Sequence, residues 1–291
     1  MSSNTLDYAG QTNKTILTIR RVIAYVVLIL LALISIFPFY LLIVYSTRSH
    51  VQISSGFSIM FGSSFFTNLK NVLSNEVTPV LSGMLNSLIV AGSSAALCVY
   101  FSAFTAYGIH VYDFKLNKAA FTFIMMIMMV PSQVSALGFI KLVDKLGMMD
   151  TFWPLIIPSI AAPVTFFFMK QYMEGALPLE IVEAARIDGC NELRIFNSII
   201  LPIMKPAFAV QAIFTFVTGW NNYFIPALIL SKTKLKTLPI LIAQLRSADF
   251  LKFDMGQVYL LIMLSILPVI IVYLLLSKYI ISGVTVGAVK G

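Results

Sequence analysis

The chain has 291 residues, of which 59% are hydrophobic and only 11% are charged. Soluble domains carry about a quarter charged residues, so a soluble fold of this composition would present a mostly apolar surface to water. The composition therefore excludes a water-soluble protein and predicts a membrane protein. The net charge of +8 is scattered without a basic stripe, which fits membrane lipids as a partner and argues against nucleic acid.

Six apolar stretches are long enough to cross the bilayer, because about 20 helical residues span its hydrocarbon core. In chain order they cover residues 22–46, 84–109, 119–140, 151–169, 207–230 and 258–276. Backbone polar groups must be satisfied internally in lipid, so each stretch is expected to be a helix. The predicted fold class is all-α: a polytopic membrane protein with six transmembrane helices, several of them kinked by internal prolines.

The predicted domain organisation is an N-terminal tail at 1–21, a six-helix transmembrane domain at 22–278 and a C-terminal tail at 279–291. The first apolar stretch is too long for a cleaved signal peptide. Six spans place both termini on one side of the membrane. With the N-terminus inside, the inner segments hold eleven Lys and Arg residues and the outer segments nine, so the charge count alone leaves the orientation open.

A polar loop at about 172–206 separates the fourth and fifth spans and holds five of the twelve acidic residues. It contains EAARIDGC at 183–190 and LPIMKP at 201–206. Pro178 suits the first turn of a helix, Gly189 suits a left-handed helix end, and Asn191 suits an N-cap. The loop is therefore expected to form a helix, a glycine turn and a second short helix.

The first loop helix is expected to carry two stripes. One consists of Ile181, Ala184 and Ala185, whose small alanines would let a partner surface approach closely; the other consists of Glu180, Glu183 and Arg186. Two other interpretations compete: an amphipathic loop lying on lipid headgroups, and a DNA-binding helix-turn-helix. The tether between two spans and the acidic balance argue against DNA.

The loop sequence resembles the signature of the permease subunits of ABC importers in residue types, spacing and position before the penultimate span. In that family the loop is cytoplasmic and lies in a groove of the ATPase subunit, so the resemblance implies an orientation. The sequence departs from the family pattern at one position: Cys190 stands where the family usually has a small residue such as Ala. The ATPase-coupling residues that it implies are Glu183, Ala184, Ala185, Asp188 and Gly189.

Two further segments are similar to the carbohydrate branch of that family, in particular the smaller permease of maltose-type heterodimers. They are GWNNYF at 219–224 and the C-terminal GVTVGAVKG at 283–291. The resemblance implies ATP-driven import of a sugar or oligosaccharide through a bacterial-type cytoplasmic membrane, with both termini cytoplasmic. The partners that it implies are a second homologous permease, two ABC ATPase subunits and an extracytoplasmic solute-binding protein.

Candidate cargo contacts are amide and aromatic side chains within or near the spans. They are Trp220, Asn221, Asn222, Tyr223, Asn86 and Gln133. Polar residues between membrane helices also serve as interhelical hydrogen bonds. That second role is the favoured interpretation of Asn86, Ser87 and Gln133, while both interpretations stay open for the residues of span five.

The sequence contains no GxxxxGK[ST] phosphate loop, so ATP and Mg are expected on the partner ATPase subunits and no cofactor is expected on this chain. No arrangement of residues predicts catalysis or a metal site, and Cys98 and Cys190 lie in segments too different for a disulfide to be expected. Three alternatives remain: an ABC permease for a non-sugar solute, an ATP-independent channel or carrier, and a membrane-bound enzyme. The scarcity of ionisable residues in the spans counts against an ion-coupled carrier.

Overall fold

The computed structural model describes residues 3–75, 78–246 and 254–288. Every regular element in these ranges is helical, which confirms the predicted all-α class. The α-helices are α1 (Ser3–Ser46), α2 (His50–Ser54), α3 (Phe65–Leu73), α4 (Val80–Val111), α5 (Asn117–Ile127), α6 (Ser132–Lys145), α7 (Trp153–Ile156), α8 (Pro163–Ala176), α9 (Leu179–Ile187), α10 (Glu192–Ile195), α11 (Leu201–Ile203), α12 (Lys205–Trp220), α13 (Phe224–Ile229), α14 (Leu238–Arg246) and α15 (Met255–Ala288). Short 3-10 turns cover Ile157–Ile160 and Thr233–Leu235, and a π-helical segment covers Phe196–Ile200.

Within the described ranges, four helical segments are long and apolar enough to cross a membrane. They are Leu17–Ser46, Val80–Val111, Trp153–Ala176 and Met255–Ile280. A bent pair, Glu192–Ile203 followed by Lys205–Trp220, adds a fifth when both arms are counted as one span. Since the two arms meet at 82°, we treat α12 as the membrane-crossing arm and 192–203 as part of the polar loop.

Three predicted spans are not single continuous helices. The fourth, 151–169, consists of α7, the 3-10 turn at Ile157–Ile160 and the first part of α8, which begins at Pro163. The third, 119–140, consists of α5 and α6 with a break before Pro131, which lacks a backbone donor and precedes the first residue of α6. The fifth, 207–230, ends as a continuous helix at Trp220, and α13 restarts at Phe224. The intervening asparagines favour turns because their side chains compete for backbone hydrogen bonds.

The described residues form two compact units. The first contains residues up to Lys70 together with Asp254–Met263. In it, the Asn68 amide holds the end of α1 by donating to the carbonyls of Ser46 and Arg48, both at 3.0 Å. Gly256 lies so close to this segment that a Cβ atom there would be 2.5 Å from the Arg48 carbonyl oxygen. A side chain at this position therefore requires the backbone to shift.

The second unit contains the described residues of Asn71–Phe253 and Leu264–Gly291. Its central element is α4, which packs along α8 and α12 and also contacts α7 and α14. Small buried side chains on α4, including Ala91, Ala95, Ala103 and Ala106, let its neighbours approach closely. This unit contains the polar loop and every candidate site residue.

The predicted tails are helical where the structure describes them. Helix α1 begins at Ser3, so it runs through most of the predicted N-terminal tail, 1–21. Helix α15 continues to Ala288, into the predicted C-terminal tail, 279–291. Residues 1–2 and 289–291, which belong to those two predicted tails, lie outside the described residues.

Candidate functional site

The first loop helix ends in the glycine turn that the sequence predicts. Helix α9 begins after Pro178, and its C-terminus is closed by two hydrogen bonds of 3.0 Å: Gly189 N–H to the Arg186 carbonyl and Cys190 N–H to the Ala185 carbonyl. This pair of bonds is the Schellman arrangement. Gly189 has φ +78°, a left-handed conformation that glycine adopts without the steric penalty of a Cβ atom.

The second loop helix starts at the predicted cap. Asn191 Oδ1 accepts a 2.8 Å hydrogen bond from the Arg194 backbone N–H, which satisfies one of the free donors of the first turn. Helix α10 then continues through the π-helical segment and α11 to the bend before α12. The loop is thus a helix–turn–helix that leads directly into a membrane-crossing helix.

The inner face of the loop is packed into the membrane-crossing helices of its own chain. Val182 and Ile195 are fully buried, and Ala185 is 6% exposed. They belong to one apolar cluster with Tyr107 of α4 and Met173 of α8, among others. Because this packing is extensive, a displacement of the loop must move α4 and α8 or break the cluster.

The predicted alanine stripe is therefore divided between two faces. Ala184 and Ile181 are exposed, whereas Ala185 turns inward with Val182. The prediction that Ile181, Ala184 and Ala185 form one partner-facing stripe is wrong in this respect. The physical reason is that the chain's own spans cover the face that Val182 and Ala185 share.

The outer face of the loop carries both acidic and apolar side chains. Glu180, Glu183, Ala184, Asp188 and Gly189 are all exposed. Two large apolar side chains accompany them: Ile187 is 86% exposed and Leu193 is 60% exposed. Neither residue is among those predicted from the sequence, although apolar residues inside a charged loop are a signal of a contact surface.

A polar network joins the two loop helices to the end of α4. Glu192 Oε1 accepts a hydrogen bond from Arg186 Nε at 2.7 Å, and Glu192 Oε2 accepts one from Tyr107 Oη at 2.6 Å. The Arg186 guanidinium also lies over the Tyr112 ring, 5.2 Å from its centroid. The hydrogen bond from Arg186 is the main cause that lowers the pKa of Glu192 to about 2. Glu192 is therefore an anion at any physiological pH.

Three of the candidate cargo residues border one cavity of about 550 Å³ in the same unit. Trp220, Asn221 and Tyr223 line it together with residues of α14, including Arg246, and with Ser265 of α15. The Trp220 indole is anchored, because its Nε1 donates to the Ser265 carbonyl at 3.1 Å. Amide, aromatic and guanidinium groups around one cavity form a surface suited to hydroxyl-rich ligands.

The other candidates lie elsewhere. Asn222 is exposed next to the cavity residues, and Gln133 is exposed near the start of α6. The Asn86 amide donates to the carbonyls of Lys234 and Lys236 at 2.9 and 3.0 Å. Ser87 Oγ accepts from the Leu238 backbone N–H at 2.8 Å. Asn86 and Ser87 thus make the structural hydrogen bonds that the sequence favours for them.

Among the residues that the structure describes, no group of three or more His, Cys, Asp or Glu side chains is placed to hold a metal ion. Cys98 is buried and Cys190 is half-buried, and both are free thiols.

Residues 99–286 match the family described as binding-protein-dependent transport system inner membrane component. The match covers the loop, the part of α4 that packs on it, α8 and all the residues that line the cavity. The chain belongs to this family. The resemblance to importer permeases that the loop signature indicates is confirmed, and the family places the chain in the inner membrane as a multi-pass protein.

Curated relatives of this inner membrane component are transport permeases. The chain is 41% identical to the arabinooligosaccharides transport system permease of Bacillus subtilis over 71% of this chain and 72% of the relative. It is 34% identical to the protein of the same name from Halalkalibacterium halodurans over 90% and 93%. Both names describe transport subunits, which confirms the prediction that the chain is not an enzyme.

A solved structure shares the fold. It belongs to a bacterial ABC transporter involved in the import of the acidic polysaccharide alginate, and it matches 90% of this chain and 96% of that chain with a TM-score of 0.77. The sequence identity is 22%, so this likeness concerns the fold alone.

Proposed function

We propose that this chain is the transmembrane permease subunit of an ATP-driven importer that moves a sugar or oligosaccharide across the cytoplasmic membrane. A solute-binding protein would deliver the cargo on the outer side. A second homologous permease would complete the channel, and two ABC ATPase subunits would bind ATP and Mg. The curated relatives named for oligosaccharide transport support the cargo class.

The observation that carries this proposal is the two-faced loop at 179–195. Its inner face, with Val182 and Ile195, is buried among the spans, while its outer face presents Glu183, Ala184 and Asp188 with the exposed Ile187. A surface of this kind fits a groove that is apolar at its floor and basic at its rim. Movement of the ATPase subunits would then reach the spans through the buried face.

The coupling residues take different parts in this proposal. Glu183, Ala184 and Asp188 lie in the contact with the ATPase. Gly189 sets the direction in which the second loop helix leaves the first. Ala185 anchors the loop to the permease, since it is buried within the chain's own apolar cluster.

The cavity that Trp220, Asn221 and Tyr223 line is the proposed part of the cargo path in this chain. Asn222 and Gln133 do not line this cavity, and Asn86 would act through its hydrogen bonds to the segment before α14. A second candidate is an ABC permease for an anionic solute, and the specific observation in its favour is Arg246, a cation on the cavity wall. Uptake of neutral and acidic saccharides distinguishes the two.

Reconstitution tests the function as a whole. The permease is co-expressed with its candidate sibling permease, ATPase and binding protein, and uptake of labelled oligosaccharides is measured with and without ATP. ATP-dependent uptake of a saccharide is the expected result. Uptake without any ATPase would support a channel or carrier, and uptake of amino acids alone would refute the sugar cargo.

A charge reversal tests the docking surface. We expect Glu183→Lys to weaken ATPase recruitment about tenfold, because a like charge then faces the basic rim. Asp144→Lys makes the same charge change on the exposed surface of α6 and serves as the matched control. Equal recruitment by the two variants would contradict the proposed surface.

Thiol labelling tests the orientation. In a Cys98→Ala background, a membrane-impermeant thiol reagent should modify Cys190 in permeabilised cells and leave it unmodified in intact cells. Modification of Cys190 in intact cells would place the loop outside the cell and overturn the proposal.

A further inference from the structure

Helix α4 connects the polar loop to the cavity within one compact unit. It runs from Val80 to Val111, and its sequence contains no proline. Tyr107 lies near the end that meets the loop, and Asn86 and Ser87 lie near the opposite end. The 20 residues between Ser87 and Tyr107 correspond to about 30 Å of helix, which is the thickness of the hydrocarbon core.

At the loop end, α4 and the loop are joined by a hydrogen bond, whose strength depends on distance and angle, as well as by apolar packing. The buried apolar contacts of Val182 and Ala185 hold the loop against the spans, but such contacts have no preferred direction. Tyr107 Oη and Arg186 Nε both donate to the Glu192 carboxylate, and hydrogen bonds to a charged group depend steeply on distance and angle. The Tyr107 bond fixes the position of the loop relative to α4, and the Arg186 bond, which lies within the loop, holds the Glu192 carboxylate in place to accept it.

At the cavity end, α4 holds the segment that leads into α14. Asn86 donates to the carbonyls of Lys234 and Lys236, and Ser87 accepts from the Leu238 backbone at the first residue of α14. Gly83 packs so closely on α14 that a Cβ atom there would collide with the Leu241 side chain. Both polar side chains are buried, so water does not substitute for these contacts.

Helix α14 in turn forms one wall of the cavity. Leu238, Pro239, Ile242, Ala243 and Arg246 all line it, together with Trp220 and Asn221 at the end of α12. A shift of α4 along its axis therefore moves the wall formed by α14. The central part of α4 resists bending because small residues such as Ala91 and Ala103 pack it against its neighbours.

We propose that α4 is the rod that carries the displacement of the polar loop to the cavity, with Glu192 and Tyr107 as the joint at one end and Asn86 and Ser87 as the joint at the other. This inference rests on the proposed function and specifies how the loop acts. The four residues are positioning residues: they contact neither the ATP nor the cargo, and they set how far α14 moves when the loop moves.

The test uses the full transporter in proteoliposomes and measures the ATP hydrolysed per molecule of saccharide transported. Tyr107→Phe and Glu192→Gln are each expected to raise this ratio about fivefold to tenfold, with ATP hydrolysis itself retained. The double variant is expected to match the single variants, because both changes break one connection. Asn86→Ala and Ser87→Ala, at the far end, are expected to raise the ratio in the same way.

Two controls separate a rod from a merely structural role. Thr105→Val removes an exposed hydroxyl of α4 that donates to the Phe101 carbonyl of the same helix. Glu174→Gln removes an exposed ion pair with Lys170 within α8. Both should keep the wild-type ratio. Complex yield and thermal stability are measured for every variant, so that lost assembly is not mistaken for lost coupling.

The outcomes distinguish failure of the proposed role of α4 from failure of the proposed transport function. A wild-type ratio in assembled Tyr107→Phe or Glu192→Gln complexes overturns the rod, as does a wild-type ratio in both Asn86→Ala and Ser87→Ala. If one variant of a pair fails to assemble, the other variant of that pair gives the answer. Absence of ATP-driven uptake in the wild type would instead refute the proposed function itself.

Discussion

Tyr107 and Glu192 are 85 positions apart in the chain, yet the phenol of the first donates a 2.6 Å hydrogen bond to the carboxylate of the second. Tyr107 is buried at the end of a membrane-crossing helix, and Glu192 opens the second helix of the polar loop. Its other carboxylate oxygen accepts from Arg186. The Glu192 side chain thus connects α4, α9 and α10, and the loop is packed and hydrogen-bonded as part of the same unit as the membrane-crossing helices.

The charge of Glu192 gives a prediction about pH. Its pKa is lowered from 4.5 to about 2, so its ionised form stabilises the fold fully above the unfolded value and loses that effect as the pH falls through the folded value. We expect the melting temperature of Glu192→Gln to lie below that of wild type by a constant amount between about pH 5 and pH 8. The difference should shrink below about pH 4.5.

Thermal unfolding of the purified protein over this pH range provides the measurement. Glu174→Gln, which removes an exposed pair with Lys170 within one helix, should change the melting temperature little at any pH. A difference between wild type and Glu192→Gln that varied between about pH 5 and pH 8 would contradict the assignment.

The conformation of Gly189 gives a second prediction. With φ at +78°, this residue occupies a region that a Cβ atom disfavours, although among the described atoms nothing lies within 4 Å of the position that the Cβ would take. The cost of Gly189→Val is therefore conformational and amounts to about 1 kcal/mol. We expect a lower melting temperature and weaker ATPase recruitment, because the second loop helix would leave at another angle.

Gly175 offers the matched control. It lies in α8 with open space around its Cβ position and without a positive φ. Gly175→Val should leave stability and ATPase recruitment near the wild-type values. Equal effects of the two substitutions would show that the left-handed turn at Gly189 has no special role.

The loop was predictable from the sequence because its signals are local. Pro178, Gly189 and Asn191 each act on the backbone within a few residues, and the structure places a helix start, a left-handed turn and a cap at these three positions. The division of the alanine pair was not predictable, because it depends on which spans pack against α9. Ala184 and Ala185 are chemically identical, and only tertiary contacts decide which of them is buried.

The helix boundaries show the same limit. Residues 207–230 are apolar enough for one continuous span, but the helix breaks at Asn221, where the Trp220 indole is anchored to the carbonyl of Ser265. Asn221 and Asn222 are a local signal for that break, whereas the contact between Trp220 and Ser265 joins residues 45 positions apart and has no local signal. Pro131, by contrast, lies within the predicted third span, and the break between α5 and α6 follows from its missing donor.

The unequal burial of the two alanines gives a third prediction. Ala185 is 6% exposed inside the apolar cluster, so Ala185→Leu should overpack it and destabilise the permease by about 1–3 kcal/mol. Ala184 is exposed, so Ala184→Leu should leave the melting temperature near that of wild type. Its extra bulk would instead hinder the approach of the ATPase.

Melting temperature and ATPase co-purification, measured on both variants, separate the two effects. The expected pattern is low stability for Ala185→Leu and normal stability with poor recruitment for Ala184→Leu. If Ala184→Leu recruited the ATPase normally, the exposed face of α9 would not be the docking surface.

The cavity gives the last prediction, and the chain supplies its own control. Asn221 and Asn222 are both exposed, but only Asn221 lines the cavity with Trp220 and Tyr223. If cargo hydroxyls bond to the Asn221 amide, Asn221→Ala leaves them unpaired and should raise the KM for uptake about tenfold, corresponding to about 1.4 kcal/mol. Asn222→Ala should change the KM by less than about twofold. Saccharide uptake at varied cargo concentration measures both values, and a larger effect of Asn222→Ala would move the cargo path away from this cavity.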